Sequence, residues 1–396
     1  MKVAGDREQM AGKSAITSCE VRLGINTEKV TSAFPKTCDL TTMPIPFNIG
    51  VLQLSMEPVH ETVAMATACE DAGFDTFWIA EAYPWWRKHS FEARSSTAIL
   101  AVIASQTKRI QLGWGIISPY TRHPVQIAME ARVMQDLADD RFLLGLGASK
   151  IFMKEIGEGE GEKVGPATVM RESIDIIRGV LKGDKFEYQG KVFAASVPPL
   201  KSDAHTSRKV PPVYVAGTGP AMQRLGGSLG DGLLTASITT PAFVRYSKKN
   251  MDEGAAKAGR NASKLILGCV IVGSIGRDSK KGKEGAREQA AMYLANKVQN
   301  IKGSADVLLE SAGIAFDELQ PVADAMEKGG RKAAAQAVSD ELLRKVCPIA
   351  GTPDECILRI EEFRAAGCTH IMLEIWGDDR TGQAKLFGDE VLPHFK

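Results

Sequence analysis

Arg141–Leu146 reads RFLLGL and Leu265–Gly273 reads LILGCVIVG, two short and almost unbroken apolar runs. A strand with one wet face alternates polar and apolar residues, whereas a strand apolar on both faces belongs to a parallel sheet covered by helices. Outward from these two, Phe47–Leu54 (FNIGVLQL), Asp75–Ala80 (DTFWIA), Arg109–Ile117, Val210–Ala216 (VPPVYVA), Gly232–Ala236 and His370–Trp376 read as further strands. Helical stretches lie between them. Glu57–Ala72 carries Val59, Val63, Ala66 and Ala68 at helical spacing and stops at Gly73. Thr97–Ser105, Pro124–Leu137 and Ala167–Leu181 follow the second, third and fourth strands, and Pro353–Ala366 opens with Thr352 as N-cap and Pro353 in its first turn. Eight strands alternating with helices predict an α/β fold of the (β/α)8 TIM-barrel type. No GxGxxG follows the first strand, which argues against an open dinucleotide-binding sheet.

Two segments break the rhythm and read as insertions. Residues 185–209 contain FEYQGKVF, a hairpin turning at Gln189-Gly190, and residues 279–346 form a long helical stretch rich in Ala and Lys. Residues 1–42 are rich in Ser, Thr and Lys without a clean period and read as a disordered leader before the barrel at 43–396. They hold no apolar segment of secretory length.

Composition narrows the function classes. The net charge of +1 offers no basic field for nucleic acid. No run approaches the roughly 20 apolar residues of a membrane span. Seven scattered cysteines without a CxxC pair fit reduced thiols in the cytoplasm. The six histidines show no HxH or HExxH spacing, so no metal site is expected.

In a barrel of this kind, chemistry belongs to the loops after the strands. After the second strand, Glu81, Tyr83 and His89 are candidates for moving a proton, and Trp85 and Trp86 for walling a planar ring. After the third come Tyr120, Arg122 and His123. The last two suit either catalysis or the capping and positioning of the next helix. Gly113 and Gly115 within that strand suit a bulge or a close approach of backbone to ligand. After the fourth, Gly147-Ala148-Ser149 leaves room and a hydroxyl. After the fifth, Gly217-Thr218-Gly219 opens a helix, and free N–H groups at a helix start suit a phosphate.

These segments taken together resemble the luciferase-like monooxygenase superfamily. The resemblance rests on Glu70–Asp75 with Trp78, LGWGIISPYTRHP at Leu112–Pro124, DDRFLLGLGAS, PVYVAGTGP with DGLL, GTPDECILRIEEFRAAG and the terminal FGDEVLPHF, in family order from Phe47 to Lys396. The branch it is most similar to is that of the F420-dependent 5,10-methylenetetrahydromethanopterin reductases. The resemblance implies a homodimeric barrel binding the deazaflavin F420, or alternatively FMN, at its mouth. It also implies a non-prolyl cis peptide at Gly115–Ile116 against the ring, with Gly217, Thr218 and Gly219 near the cofactor phosphate. Many F420-dependent relatives follow the acidic residue of strand two with a catalytic His, where this chain has Glu81-Ala82. The expected function is hydride transfer between F420 and a small organic substrate, better suited to an imine-type or C=C bond than to an alcohol. An FMN-dependent monooxygenase using oxygen is the alternative, and a non-catalytic flavin-binding barrel a third reading.

Overall fold

The computed structural model describes residues 45–81, 93–148, 164–200, 209–299 and 304–396. The leader at 1–42 lies outside them. Eight parallel strands close into a barrel: β1 (Asn48–Leu54), β2 (Thr76–Ala80), β3 (Gln111–Trp114), β4 (Phe142–Gly147), β7 (Val213–Ala216), β8 (Gly232–Leu234), β9 (Ile266–Ile275) and β11 (His370–Ile375). Closure comes from β8 on β9, with Gly232 opposite Ile266, and from β11 on β1, with Asn48 opposite His370. The hairpin β5 (Phe186–Gln189) and β6 (Ala194–Val197) stands outside the barrel as an antiparallel pair. The short β10 (Ile349–Gly351) extends the sheet along the far end of β9.

The helices are α1 (Val59–Ala72), α2 (Ser96–Gln106), α3 (Pro124–Leu137), α4 (Pro166–Lys182), α5 (Pro220–Leu229), α6 (Pro241–Lys257), α7 (Ser279–Gln299), α8 (Ser304–Ala312), α9 (Gln320–Ala337), α10 (Asp340–Val346), α11 (Pro353–Ala365) and α12 (Arg380–Glu390). Local chemistry sets several starts. The Ser95 hydroxyl caps α2 by accepting from the Ala98 N–H at 3.3 Å, and Thr352 and Glu355 form a reciprocal capping box at α11. The sequence reading missed α6, α12 and β10. The third strand is also shorter than expected. It ends at Trp114, and Ile117 bridges separately to Leu146.

Two apolar layers follow from strand alternation. Outward residues such as Val51, Phe77, Leu112, Leu144 and Ile371 pack under the helices. Inward residues Leu52, Trp78, Leu143, Tyr214, Leu234, Val270 and Met372 fill the barrel. The helices at 279–346 build a second small core of their own, in which Leu294, Leu308, Leu319 and Leu342 meet Phe243 of α6.

The barrel floor is polar but sealed. Trp78 Nε1 donates to Thr76 Oγ1 at 2.8 Å, and that hydroxyl lies 2.8 Å from His370 Nε2. Burial holds the His370 imidazole down to about 3, so it is neutral here. A side chain at Gly113 would fall on the Trp78 ring. The reason for that glycine is therefore internal packing and not the ligand approach expected from sequence.

Candidate active site

The C-terminal mouth of the barrel is built around the segment after β3. The Gly115–Ile116 peptide is cis, at the bond the resemblance implied. It is pinned from both neighbouring strands. Gly115 N–H donates to the Ile79 carbonyl at 2.9 Å, and Glu81 N–H to the Ile116 carbonyl at 3.3 Å. On the other side, Ile117 N–H reaches Gly145 and Gly147 N–H reaches Ile117, at 3.1 and 3.0 Å. Ile116 thereby joins Leu54, Ala80 and Ala216 as the partly exposed apolar rim above the barrel core. Small residues keep this rim low: a side chain at Gly147 would come within 2.9 Å of the Ile116 methyl. An apolar platform with one open side suits the face of a planar ring.

Glu81 follows β2 directly, and its carboxylate is fully engaged. Arg122 donates to both oxygens, at 2.7 and 2.9 Å, and Ser96 Oγ to one of them at 3.0 Å. The side chains keep only 9% exposure on Glu81 and 17% on Arg122. Arg122 also reaches Glu130 at 3.4 Å, tying the loop to α3. A carboxylate held by a two-pronged guanidinium is well placed to fix loop geometry. His123 occupies the N-cap of α3. Its Nδ1 accepts from Val125 N–H at 3.3 Å and its ring meets Phe193 edge-on at 5.4 Å. Of the two roles open to it from sequence, this geometry serves the structural one. Tyr120 sits in the preceding turn, its N–H donating to Ser118 Oγ at 3.3 Å. Tyr83 and His89, with Trp85 and Trp86, and Ser149 lie outside the described residues.

Across the mouth, Gly217 N–H closes β7 onto the Leu234 carbonyl at 3.1 Å, and Gly219 is the N-cap of α5. Gly217, Thr218 and Gly219 are all partly exposed. The first-turn N–H groups of a helix lack intrahelical acceptors, and the dipole is positive there, so this turn fits an anionic phosphate. Rim and turn together match a flat ring carrying a phosphorylated tail.

Two further groups at the mouth escaped the sequence reading. Glu374, on β11, is 1% exposed; its oxygens accept from Tyr293 Oη at 2.6 Å and Gln289 Nε2 at 3.3 Å. The signal was present in the sequence: HIMLEI is an apolar barrel strand with one acid near its C-terminal end. Trp376, just beyond, is flanked by Arg331 and Arg380 at 5.2 and 6.0 Å from the ring centre.

Residues 41–370 match the family described as luciferase-like monooxygenase. The chain is 30% identical over 363 residues to a 5,10-methylenetetrahydromethanopterin reductase of Methanopyrus kandleri, covering 88% of this chain and 99% of that protein. An F420-dependent glucose-6-phosphate dehydrogenase of Nakamurella multipartita is 25% identical, over 90% of this chain and 98% of that protein. Among solved structures, the coenzyme F420-dependent tetrahydromethanopterin reductase from Methanopyrus kandleri superposes with a TM-score of 0.77 at 28% identity, covering 89% of this chain and all (100%) of that one.

Proposed function

The chain belongs to the luciferase-like monooxygenase family, and on that footing we propose that it is an F420-dependent oxidoreductase transferring a hydride between the coenzyme and a small organic substrate at the barrel mouth. The observation that carries this reading is the end-to-end similarity to a dehydrogenase and a solved reductase whose names specify F420. The FMN-dependent monooxygenase alternative shares the ring platform and the phosphate turn but lacks that support, and the same relatives weigh against a non-catalytic barrel. Bound at this mouth, a deazaflavin supplies a ring carbon that gives or accepts a hydride.

The residues divide the work by position. Ile116 and its small neighbours support one face of the ring, while Thr218 and Gly219 hold the phosphate through backbone N–H groups and Gly217, its own N–H bonded to the Leu234 carbonyl, keeps the approach open. Glu81 and Arg122 fix the loop after β2 against α3, and Tyr120 shapes the turn between them. Ser149, Tyr83 and His89 remain candidates for contacts from the adjoining loops. Hydride transfer chiefly requires two carbons held face to face. Ala82 in place of a His therefore favours a C=N or C=C substrate over an alcohol, whose oxidation needs a base.

A cytoplasmic homodimer is the accompanying proposal. No helix among the described residues is long and apolar enough to cross a membrane. The described cysteines at 69, 269, 347, 356 and 368 are free thiols, as in a reducing compartment. On the outer surface, Met129, Val133 and Leu137 of α3 are 63%, 54% and 44% exposed at four-residue spacing, beside Val102 of α2 at 44%. Such a stripe suits burial against a second copy. Titration of the purified protein with F420 and with FMN, followed by fluorescence, tests the central assignment. F420 is expected to bind with the higher affinity, and tight FMN binding without F420 binding would overturn it.

A further inference from the structure

Glu374 is a carboxyl group with no counter-ion among the groups bonded to it. His370, Met372 and Glu374 alternate along β11, and the first two point into the barrel. Glu374 is therefore the third inward layer, nearest the mouth. Its partners come from elsewhere in the chain. Tyr293 and Gln289 lie one turn apart on α7, in the 279–346 insertion, and Ser237, in the loop after β8, shares hydrogen bonds with both Glu374 and Tyr293. The other elements beside it present neutral side chains: Val272 and Ser274 from β9, Leu52 and Leu54 from β1. On α7, Lys297 is one turn beyond Tyr293, its amine lowered by burial, and on β11 His370 is neutral. The arginines 331 and 380 sit over Trp376 on the rim.

A second observation points the same way. Gln289 is 1% exposed; its Nε2 donates to Glu374 while its Oε1 has no hydrogen-bond partner. A buried orphan acceptor beside a carboxyl is costly when the carboxyl is ionised. When the carboxyl carries a proton the amide can turn over so that Oε1 accepts it, which leaves Nε2 in the unpartnered position instead. Gln289 can thus serve both protonation states of Glu374.

Resting on the F420 reading above, we propose that Glu374 takes up and returns the proton that accompanies hydride transfer, acting through Tyr293. A reduced deazaflavin held at this mouth would supply one hydrogen as a hydride to the substrate carbon and a second as a proton. Tyr293 passes its hydroxyl proton to Glu374 Oε1, 2.6 Å away, as its oxygen accepts the released proton. For a cationic C=N substrate charge and atoms balance: the hydride neutralises the iminium carbon, Glu374 ends neutral and Tyr293 unchanged, and the proton later returns to solvent by the reverse path. The titration range fits, since burial pushes the Glu374 carboxyl up to about 7 against the lowering effect of its three hydrogen bonds. Glu374 is a positioning and proton-holding residue, because its own oxygens are sealed from the mouth while Tyr293 is only half-buried.

The test combines infrared titration of the protein without coenzyme and pH profiles of turnover with F420. The expected result is a protonated-carboxyl C=O band that disappears with a midpoint near neutrality and is missing from Glu374→Gln. That variant keeps the acceptor and the shape, so its melting temperature should not fall while turnover drops at least tenfold and the neutral inflection in kcat/KM vanishes. Tyr293→Phe removes a stabilising donor and should move the infrared midpoint upward; it also serves if Glu374→Gln fails to fold. Absence of a titrating band between pH 5.5 and 8.5, or an unchanged pH profile in Glu374→Gln or Tyr293→Phe, would overturn the proposal. Failure of F420 to bind would defeat the coenzyme assignment instead, and the infrared titration distinguishes the two because it needs no coenzyme.

Discussion

Arg122 grips Glu81 with two guanidinium nitrogens, at 2.7 and 2.9 Å, across the forty-one residues that separate the loops after β2 and β3. The pair joins the turn that carries the cis Gly115–Ile116 bond to the end of the neighbouring strand, and through Glu130 to α3. A nearly buried carboxylate is stable only while its cation is present. Arg122→Met should therefore cost about 2–4 kcal/mol, read as a lower urea midpoint, and weaken coenzyme binding. Glu81→Gln, which keeps one acceptor, should cost less.

The two glycine-rich sites should respond differently to a single methyl group. At Gly145 the added carbon would fall on the backbone carbonyl of Trp114, which cannot move without displacing β3. Gly145→Ala should lower stability by about 3 kcal/mol or more. At Gly217 the added carbon would fall on Cγ and within 2.6 Å of Cβ of Met222, and because that Cβ is fixed to the backbone, the first turn of α5 must shift. Gly217→Ala should lower the melting temperature less than Gly145→Ala does, yet by moving the start of α5 it should reduce F420 affinity about tenfold. Isothermal titration and calorimetric melts separate the two effects.

His370 and Glu374 make stability depend on pH in opposite senses. His370 is lowered by burial to about 3 from 6.5, so the unfolded chain binds its proton first. Its contribution is complete above about pH 6.5 and is lost as pH falls towards 3, by at most about 5 kcal/mol. Glu374 is raised by burial to about 7 from 4.5, so the folded state keeps its proton longer. Stability from this group is complete below about pH 4.5 and declines up to pH 7, by at most about 3 kcal/mol. Urea midpoints from pH 4 to 8 should show the acid limb flattened in His370→Gln and the neutral limb flattened in Glu374→Gln.

The exposed stripe on α2 and α3 should determine assembly. Met129→Glu with Val133→Glu places two charges where a second copy would bury apolar surface. Sedimentation should show the parent chain as a dimer and the double variant as a monomer with an intact circular dichroism spectrum. A parent chain that sediments as a monomer at micromolar concentration would refute the interface.

Most barrel strands were legible because parallel strands buried on both faces must be apolar throughout, and nothing else in a chain of this size repeats such runs at helix-length spacing. The helix starts at Pro124 and Pro353 were legible for an equally local reason, a capping side chain followed by proline. The strand β10, three residues long, has too few residues to show a period. Its pairing exists only because β9 runs past the barrel rim.

The sequence by itself therefore determined the barrel, the identity of its mouth loops and the glycine turn at 217–219, because each depends on residues within one or two turns of one another. Tertiary structure decided the use of those residues. Glu81 looked like a free acid until Arg122 closed on it, and Gly113 looked like a ligand contact until Trp78 filled its space. Glu374 gained Tyr293 and Gln289 from 81 and 85 residues away. Burial and partnership set the charge of an acid, and both are properties of the folded neighbourhood that no local pattern encodes.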